Sequence, residues 1–307
     1  MRKPRALREG DRISIVAPAS PFSRDDLDAG MAELRTIGFE PVLDDAIFER
    51  KGYVAGPAAV RAAAFQRAWA DPAIAALIAM RGGFGSVQLL PLLNAGPLLG
   101  PAKAFIGYSD NTSVLTWLTL QRGIVAFHGP MIEGRIAKGA AGYDRDSFCR
   151  CLCHAAPPGE ITAAGLEVVR PGDAKGLLVG GTLTQLAGSL GTPYSFDPPA
   201  GSIVFFEDVN ERPYKIERLL TQLKFAGILE HAAGVVFGEM RGCDEASGPI
   251  TAKAIIADFM ADFGGPVLFG LPSGHTTGPT LTLPLGVQAR VVADGQPKLV
   301  IEEAAVA

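Results

Sequence analysis

The stretch AFIGYSDNTSVLTWL, residues Ala104 to Leu118, decides the fold. Its first four residues are an apolar run of strand length. Ser109 and Asp110 fall in the turn that follows, and a helical pattern over residues 111–121 begins at once. A short buried strand feeding directly into a helix is the repeating unit of a sheet covered on both faces. The same unit recurs upstream. Residues 13–17 read as a strand, and Ser23 caps a helix running to Ile37, with Asp25 and Asp26 in its first turn and Gly38 at its end. Pro57 fits the first helical position of the segment 58–70, and residues 74–80 and 124–127 read as further strands. This alternation predicts an α/β architecture with a mostly parallel sheet.

Proline and glycine then concentrate. Pro157-Pro158-Gly159 and Arg170-Pro171-Gly172-Asp173 bracket an expected linker, 156–172, between a domain of residues 1–155 and one of 173–307. Beyond it the pattern is mixed. Residues 202–209 and 233–240 read as strands, and Ile216, Leu219, Leu220 and Leu223 mark the apolar face of a helix between them. Asp294-Gly295, set among alternating apolar residues, signals a hairpin. The second domain is expected to be smaller and α+β, with more antiparallel pairing.

Composition narrows the classes. The 307 residues carry 28 Lys+Arg against 32 Asp+Glu, a net charge of −4, which gives no electrostatic footprint for nucleic acid or an anionic membrane. No apolar core of a signal peptide follows the basic first residues, and no window reaches membrane-span length, so the expected location is the cytoplasm. Cys149, Cys151 and Cys153 lie two apart beside His154, without CxxC spacing or a second ligand pair. They read as small hydrophobes at a helix end, with Cys149 and Cys153 on one face, and no metal is assigned.

Four segments could carry chemistry. Ser109 stands where a strand meets a helix, as in a nucleophile elbow, although the pattern is G-x-S-x-N; it reads either as a nucleophile or as a helix cap. RGGFGS (81–86) follows a buried strand, and its glycines allow close backbone approach and N–H groups turned toward an anion. It reads as an oxyanion donor, a phosphate loop or a tight turn. Glu207 and Asp208 close an apolar strand, where a carboxylate points into the usual crevice of an α/β sheet or into solvent. His275 lies in a Gly/Pro/Thr loop, a position suited to chemistry, with His128 at a strand end as its rival. Ser109, Glu207 and His275 together supply a nucleophile, an orienting carboxylate and a base.

These motifs carry a resemblance along nearly the whole chain. APASP (17–21), RGGFGS, IGYSDNT (106–112), FHGPM (127–131), GGTLTQLAGSLGTPY (180–194), FFEDVNERPYKIERLLTQLKFAGIL (205–229) and LPSGHT (271–276) resemble, in order, the LD-carboxypeptidases, the murein tetrapeptide carboxypeptidase family of serine peptidases. The resemblance implies a Rossmann-like N-terminal domain and a smaller C-terminal one that share a triad of Ser109, Glu207 and His275. It implies an oxyanion hole from the N–H groups of Gly83 and Asp110, with Gly82 the neighbouring candidate. The implied activity is release of a C-terminal D-alanine from a murein tetrapeptide in peptidoglycan recycling, without metal or cofactor, by a cytoplasmic homodimer. Arg81, beside the glycine loop, is the candidate for binding the substrate carboxylate. Two alternatives stay open: a microcin-immunity type of hydrolase within the same family, and a non-catalytic Rossmann protein that binds a nucleotide through RGGFGS.

Overall fold

The structure is a computed structural model and describes residues 1–95, 98 and 100–307. Strands β1 (Arg12–Val16), β2 (Glu40–Leu43), β3 (Ile74–Ala79), β4 (Ala104–Gly107) and β5 (Ala126–His128) run parallel in the order β5-β4-β3-β1-β2. Helices α1 (Arg24–Thr36), α2 (Ala58–Ala70), α3 (Leu90–Ala95) and α4 (Thr112–Thr116) fill the connections, and α5 (Arg145–Leu152) follows. Ser23 caps α1 by accepting from the Asp26 N–H at 3.4 Å. All six residues of β3 are buried, as a central strand covered on both faces requires.

The second sheet is built from β6 (Gly159–Ile161), β7 (Glu167–Arg170), β8 (Asp173–Thr182), β9 (Ile203–Glu207), β10 (Gly234–Gly238) and β11 (Val267–Leu271). β12 (Leu283–Leu285) leaves it, and β13 (Gln288–Val292) and β14 (Lys298–Ile301) return to it as the hairpin around Asp294-Gly295. The order is β6-β14-β13-β8-β9-β10-β11-β7, with β8 to β11 parallel and the flanking strands antiparallel. Helices α6 (Leu183–Ser189), α7 (Pro213–Phe225) and α8 (Ala252–Phe259) complete it. The whole is a mixed α/β fold with two sheets, as expected.

Strand alternation explains how the two halves join. Along β9, Val204 and Phe206 belong to the core under α6, α7 and α8, while Ile203 and Phe205 belong to the core shared with the first sheet. Two features had no local signature. The segment 156–172 carries β6 and β7, which close opposite edges of the second sheet. β12 crosses back to pair antiparallel with β5, with Leu283 opposite His128. Cys151 is the buried cysteine of its cluster, and Cys149 and Cys153 are half-buried against the core. Among the described residues no helix is long and apolar enough to cross a membrane.

Candidate active site

The candidate residues gather at the C-terminal ends of parallel strands from both sheets, the usual crevice of open α/β folds. Ser109 follows β4, the glycine loop follows β3, and His128 ends β5. Thr182 ends β8, Glu207 ends β9, and the loop with His275 follows β11.

Ser109 adopts φ +61°, one of three non-glycine residues with positive φ among those described. The turn is sharp because β4 must pass at once into a 3₁₀ turn over Ser109–Asn111 and then into α4. A left-handed backbone at a non-glycine residue is strained, and surrounding contacts hold it. The Asp110 carboxylate, buried beneath the turn, accepts from the Ser86 N–H at 2.8 Å, and burial pushes its pKa up. Asn111 donates from Nδ2 to the Arg81 carbonyl at 3.1 Å. The elbow and the glycine loop are therefore bolted together.

Close approach explains the two glycines. A Cβ on Gly82 would stand 2.8 Å from both Cβ and Oγ of Ser109. Gly83 has φ +100°, and a Cβ there would meet Ser20 Oγ at 2.4 Å. Ser20 Oγ accepts from the Phe84 N–H at 3.1 Å, whereas the N–H groups of Gly83 and Asp110 find no acceptor among the described residues. Arg61, only 4% exposed, braces this loop by donating to the carbonyls of Gly56, Gly85 and Pro18.

On the other side, Glu207 is 1% exposed. Its Oε2 accepts from the His275 backbone N–H at 2.9 Å and from His275 Nδ1 at 2.7 Å. Its Oε1 accepts from the Thr182 hydroxyl. Burial alone would raise its pKa, but the imidazoles of His275 and His128 outweigh it and hold the carboxyl well below the usual range. An ionised carboxylate only accepts, so His275 Nδ1 carries a proton and, in the neutral ring, Nε2 carries the lone pair. The His275 ring packs edge-on against Tyr108, the residue before Ser109, with centroids 4.9 Å apart. Asp208, on the opposite face of the strand, turns away: its Oδ2 accepts from Thr184 N–H at 2.9 Å and Thr184 Oγ1 at 2.6 Å at the start of α6.

Arg81 is half-buried; its Nη1 pairs with Glu133 at 2.8 Å and donates to the Pro21 carbonyl at 3.1 Å. Its Nη2 reaches the side of Gly83, 3.9 Å from where a Cβ would stand. Beside the glycine loop, a cleft of about 220 Å³ opens between the halves, lined by Phe84, Val87, Thr112, Gln185 and Tyr194 among others, with no charged side chain among the lining residues.

Several residues of this site escape sequence reasoning. Arg135 is buried and donates to the carbonyls of Gly274 (2.8 Å), Thr276 (3.1 Å) and Gly278 (3.0 Å), and to Tyr108 Oη at 3.2 Å. It clamps the His275 loop to the elbow. Thr182 donates to Glu207 and, through its N–H, to Thr112 Oγ1 at 3.1 Å, so it ties the same two regions. The one available signal was GGTLTQL, where a threonine ends an apolar strand. Arg135 had none, since the loop carbonyls that it binds lie some 140 residues away.

The chain is similar to known proteins along most of its length. The family model described as the LD-carboxypeptidase N-terminal domain matches residues 13–129, and that of the C-terminal domain matches residues 175–291. A Bacillus subtilis protein named "probable murein peptide carboxypeptidase" is 32% identical over 94% of this chain and 90% of its own. The murein tetrapeptide carboxypeptidase of Pseudomonas aeruginosa is 32% identical over 86% of this chain and 88% of its own. The crystal structure of muramoyltetrapeptide carboxypeptidase from Oxalobacter formigenes superposes with a TM-score of 0.83 at 30% identity, covering 95% of this chain and 99% of that one. The microcin C7 self-immunity protein MccF shares the fold throughout, with a TM-score of 0.92 at 24% identity. With both domain models matched in order and these relatives aligned nearly end to end, the chain belongs to the LD-carboxypeptidase family.

Proposed function

We propose that this protein is a serine LD-carboxypeptidase that releases the C-terminal D-alanine of a murein tetrapeptide, with Ser109 as nucleophile, His275 as base and Glu207 as its orienting carboxylate. The observation that carries the reading is the double acceptance by Glu207 Oε2 from His275, which engages Nδ1 and not Nε2 while the ring packs on Tyr108, the residue before Ser109. The names of the Pseudomonas and Oxalobacter relatives support the substrate.

In this mechanism His275 Nε2 takes the Ser109 proton as Oγ attacks the scissile carbonyl carbon. The N–H groups of Gly83 and Asp110 receive the charge that develops on the carbonyl oxygen, and one such donor typically lowers the barrier by about 3 kcal/mol. Nε2–H then protonates the departing amine of the D-amino acid, and the C–N bond breaks. A water molecule, activated by the same nitrogen, resolves the acyl-enzyme and restores Ser109. The uncharged cleft beside Phe84 would hold the acyl side of the peptide, and Arg81 Nη2, beside Gly83, would meet the terminal carboxylate. In this reading the two halves of the chain, divided across 156–172, each bring part of the triad.

The test is release of D-alanine from purified murein tetrapeptide, which Ser109→Ala abolishes. A second reading rests on a relative named microcin C7 self-immunity protein, 26% identical over 94% of this chain. Cleavage of a peptidyl-adenylate analogue with no turnover of the tetrapeptide would establish that alternative instead.

A further inference from the structure

His128 is the second imidazole at Glu207, and the mechanism above does not use it. It is wholly buried; its Nε2 stands 3.8 Å from Glu207 Oε1 and has no hydrogen-bond partner among the described residues. Its Nδ1 lies 3.1 Å from Ser273 Oγ, two residues before His275. The titratable and charged groups around it are Glu207 on β9, Tyr108 after β4 with the Arg135 guanidinium on its hydroxyl, and His275 across the Glu207 carboxylate. Phe205 closes the remaining face, with ring centroids 5.1 Å apart.

The hydrogen-bond inventory bears on which atom carries the proton. Ser273 has one hydroxyl proton and two acceptors in reach, His128 Nδ1 and the Leu281 carbonyl, each at 3.1 Å. If Ser273 donates to Nδ1, the neutral ring has its N–H at Nε2. If Ser273 donates to Leu281 instead, Nδ1 donates to Ser273, and in the neutral ring Nε2 turns a lone pair toward the carboxylate. Burying two facing acceptors is costly, which favours the arrangement with the N–H at Nε2. In the favoured arrangement an N–H at Nε2 faces Glu207.

From this geometry we infer that His128 is a positioning residue: it faces Oε1 of Glu207 from 3.8 Å, beside the Thr182 hydroxyl that bonds this oxygen, so that Oε2 alone serves His275 and the His275 proton stays on Nδ1. The inference rests on the proposed triad and adds to it a buried second imidazole. Without His128, the carboxylate is less neutralised from behind and holds the proton on His275 more strongly. His275 then becomes free to act as a base only at higher pH.

The experiment measures inactivation of the purified enzyme by a fluorophosphonate as a function of pH, which needs no knowledge of the substrate. Mass spectrometry locates the adduct. His128→Asn can still bond Ser273 but is too short for Glu207. His128→Gln places an amide N–H near the position of Nε2. His128→Phe keeps the ring packing and loses both nitrogens. We expect the Asn and Phe variants to move the acidic limb of the rate profile upward by about half to one pH unit, with at least a tenfold lower rate at pH 7. The Gln variant is expected to stay within about threefold of wild type. A wild-type profile in His128→Asn, or equal losses in Asn and Gln variants of unchanged melting temperature, would overturn the role. Failure of wild type to be labelled at Ser109 removes the triad itself, and this inference with it.

Discussion

Ser109 combines chemistry with backbone strain, and the two can be separated by mutation. At φ +61° any L-residue pays for the left-handed conformation, whereas glycine does not. Ser109→Ala and Ser109→Gly are both expected to lose turnover by several orders of magnitude. The glycine variant should be more stable than the alanine variant by about 1 kcal/mol, read by urea denaturation. Gly82 poses the converse case. An added methyl, 2.8 Å from Ser109 Oγ, must displace the hydroxyl. Gly82→Ala is therefore expected to lower kcat about a hundredfold, since a displacement on the order of 1 Å at the reacting atom has that effect, while the melting temperature changes little. These residues were legible in the sequence because each follows directly on a short apolar strand, the glycine pair on β3 and the turn serine on β4. His275 was preferred there for its loop position and the family motif, with His128 as its rival; in the structure, burial and the choice of Glu207 oxygen distinguish them.

At the level of elements, β9 shows how alternation assigns two adjacent carboxylates to different tasks. Glu207 follows Phe205 onto the face shared with the first sheet, and Asp208 follows Phe206 toward α6. Burial, joined by the charge of Glu207, raises Asp208 to about 6 from an ordinary value of 3.8. Between those values the folded protein retains a proton that the unfolded chain has released. Stability is therefore lost as pH rises from about 4 through about 6, by up to about 3 kcal/mol from this group. Asp208→Asn removes that slope. Unfolding free energies of the two proteins across this range should converge toward, or shift in favour of, the variant as pH rises; parallel curves would contradict the assignment. The segment by itself left either carboxylate open, because both close the same apolar run and the face each takes depends on which side of the strand meets the first sheet; the family motif pointed to Glu207.

Across the whole molecule, a few long-range contacts hold the two halves in register. Arg135 donates to three carbonyls of the loop 274–278 and to Tyr108, and Thr182 bonds Thr112. Arg135→Ala leaves buried carbonyls without donors, a loss of about 3 kcal/mol. Hydrogen exchange is expected to accelerate in residues 272–280 more than in β4, and kcat to fall at least a hundredfold, because the His275 ring loses its seat against Tyr108. Unchanged exchange in that loop would show that the clamp is dispensable.

The central strands and the longer helices followed from local physics alone: periods of two and near four, caps, and glycine at tight turns recur over a few residues and can be read without neighbours. The family motifs were legible for the same reason, as continuous segments. What brings His275 onto Glu207, 68 residues apart, and His128 behind it, is packing. β12 returning to β5, the long β8 reaching Thr112, and the Arg135 clamp form only once the two sheets meet. Such contacts depend on which faces are buried together, and that is a property of the folded chain rather than of any segment in it.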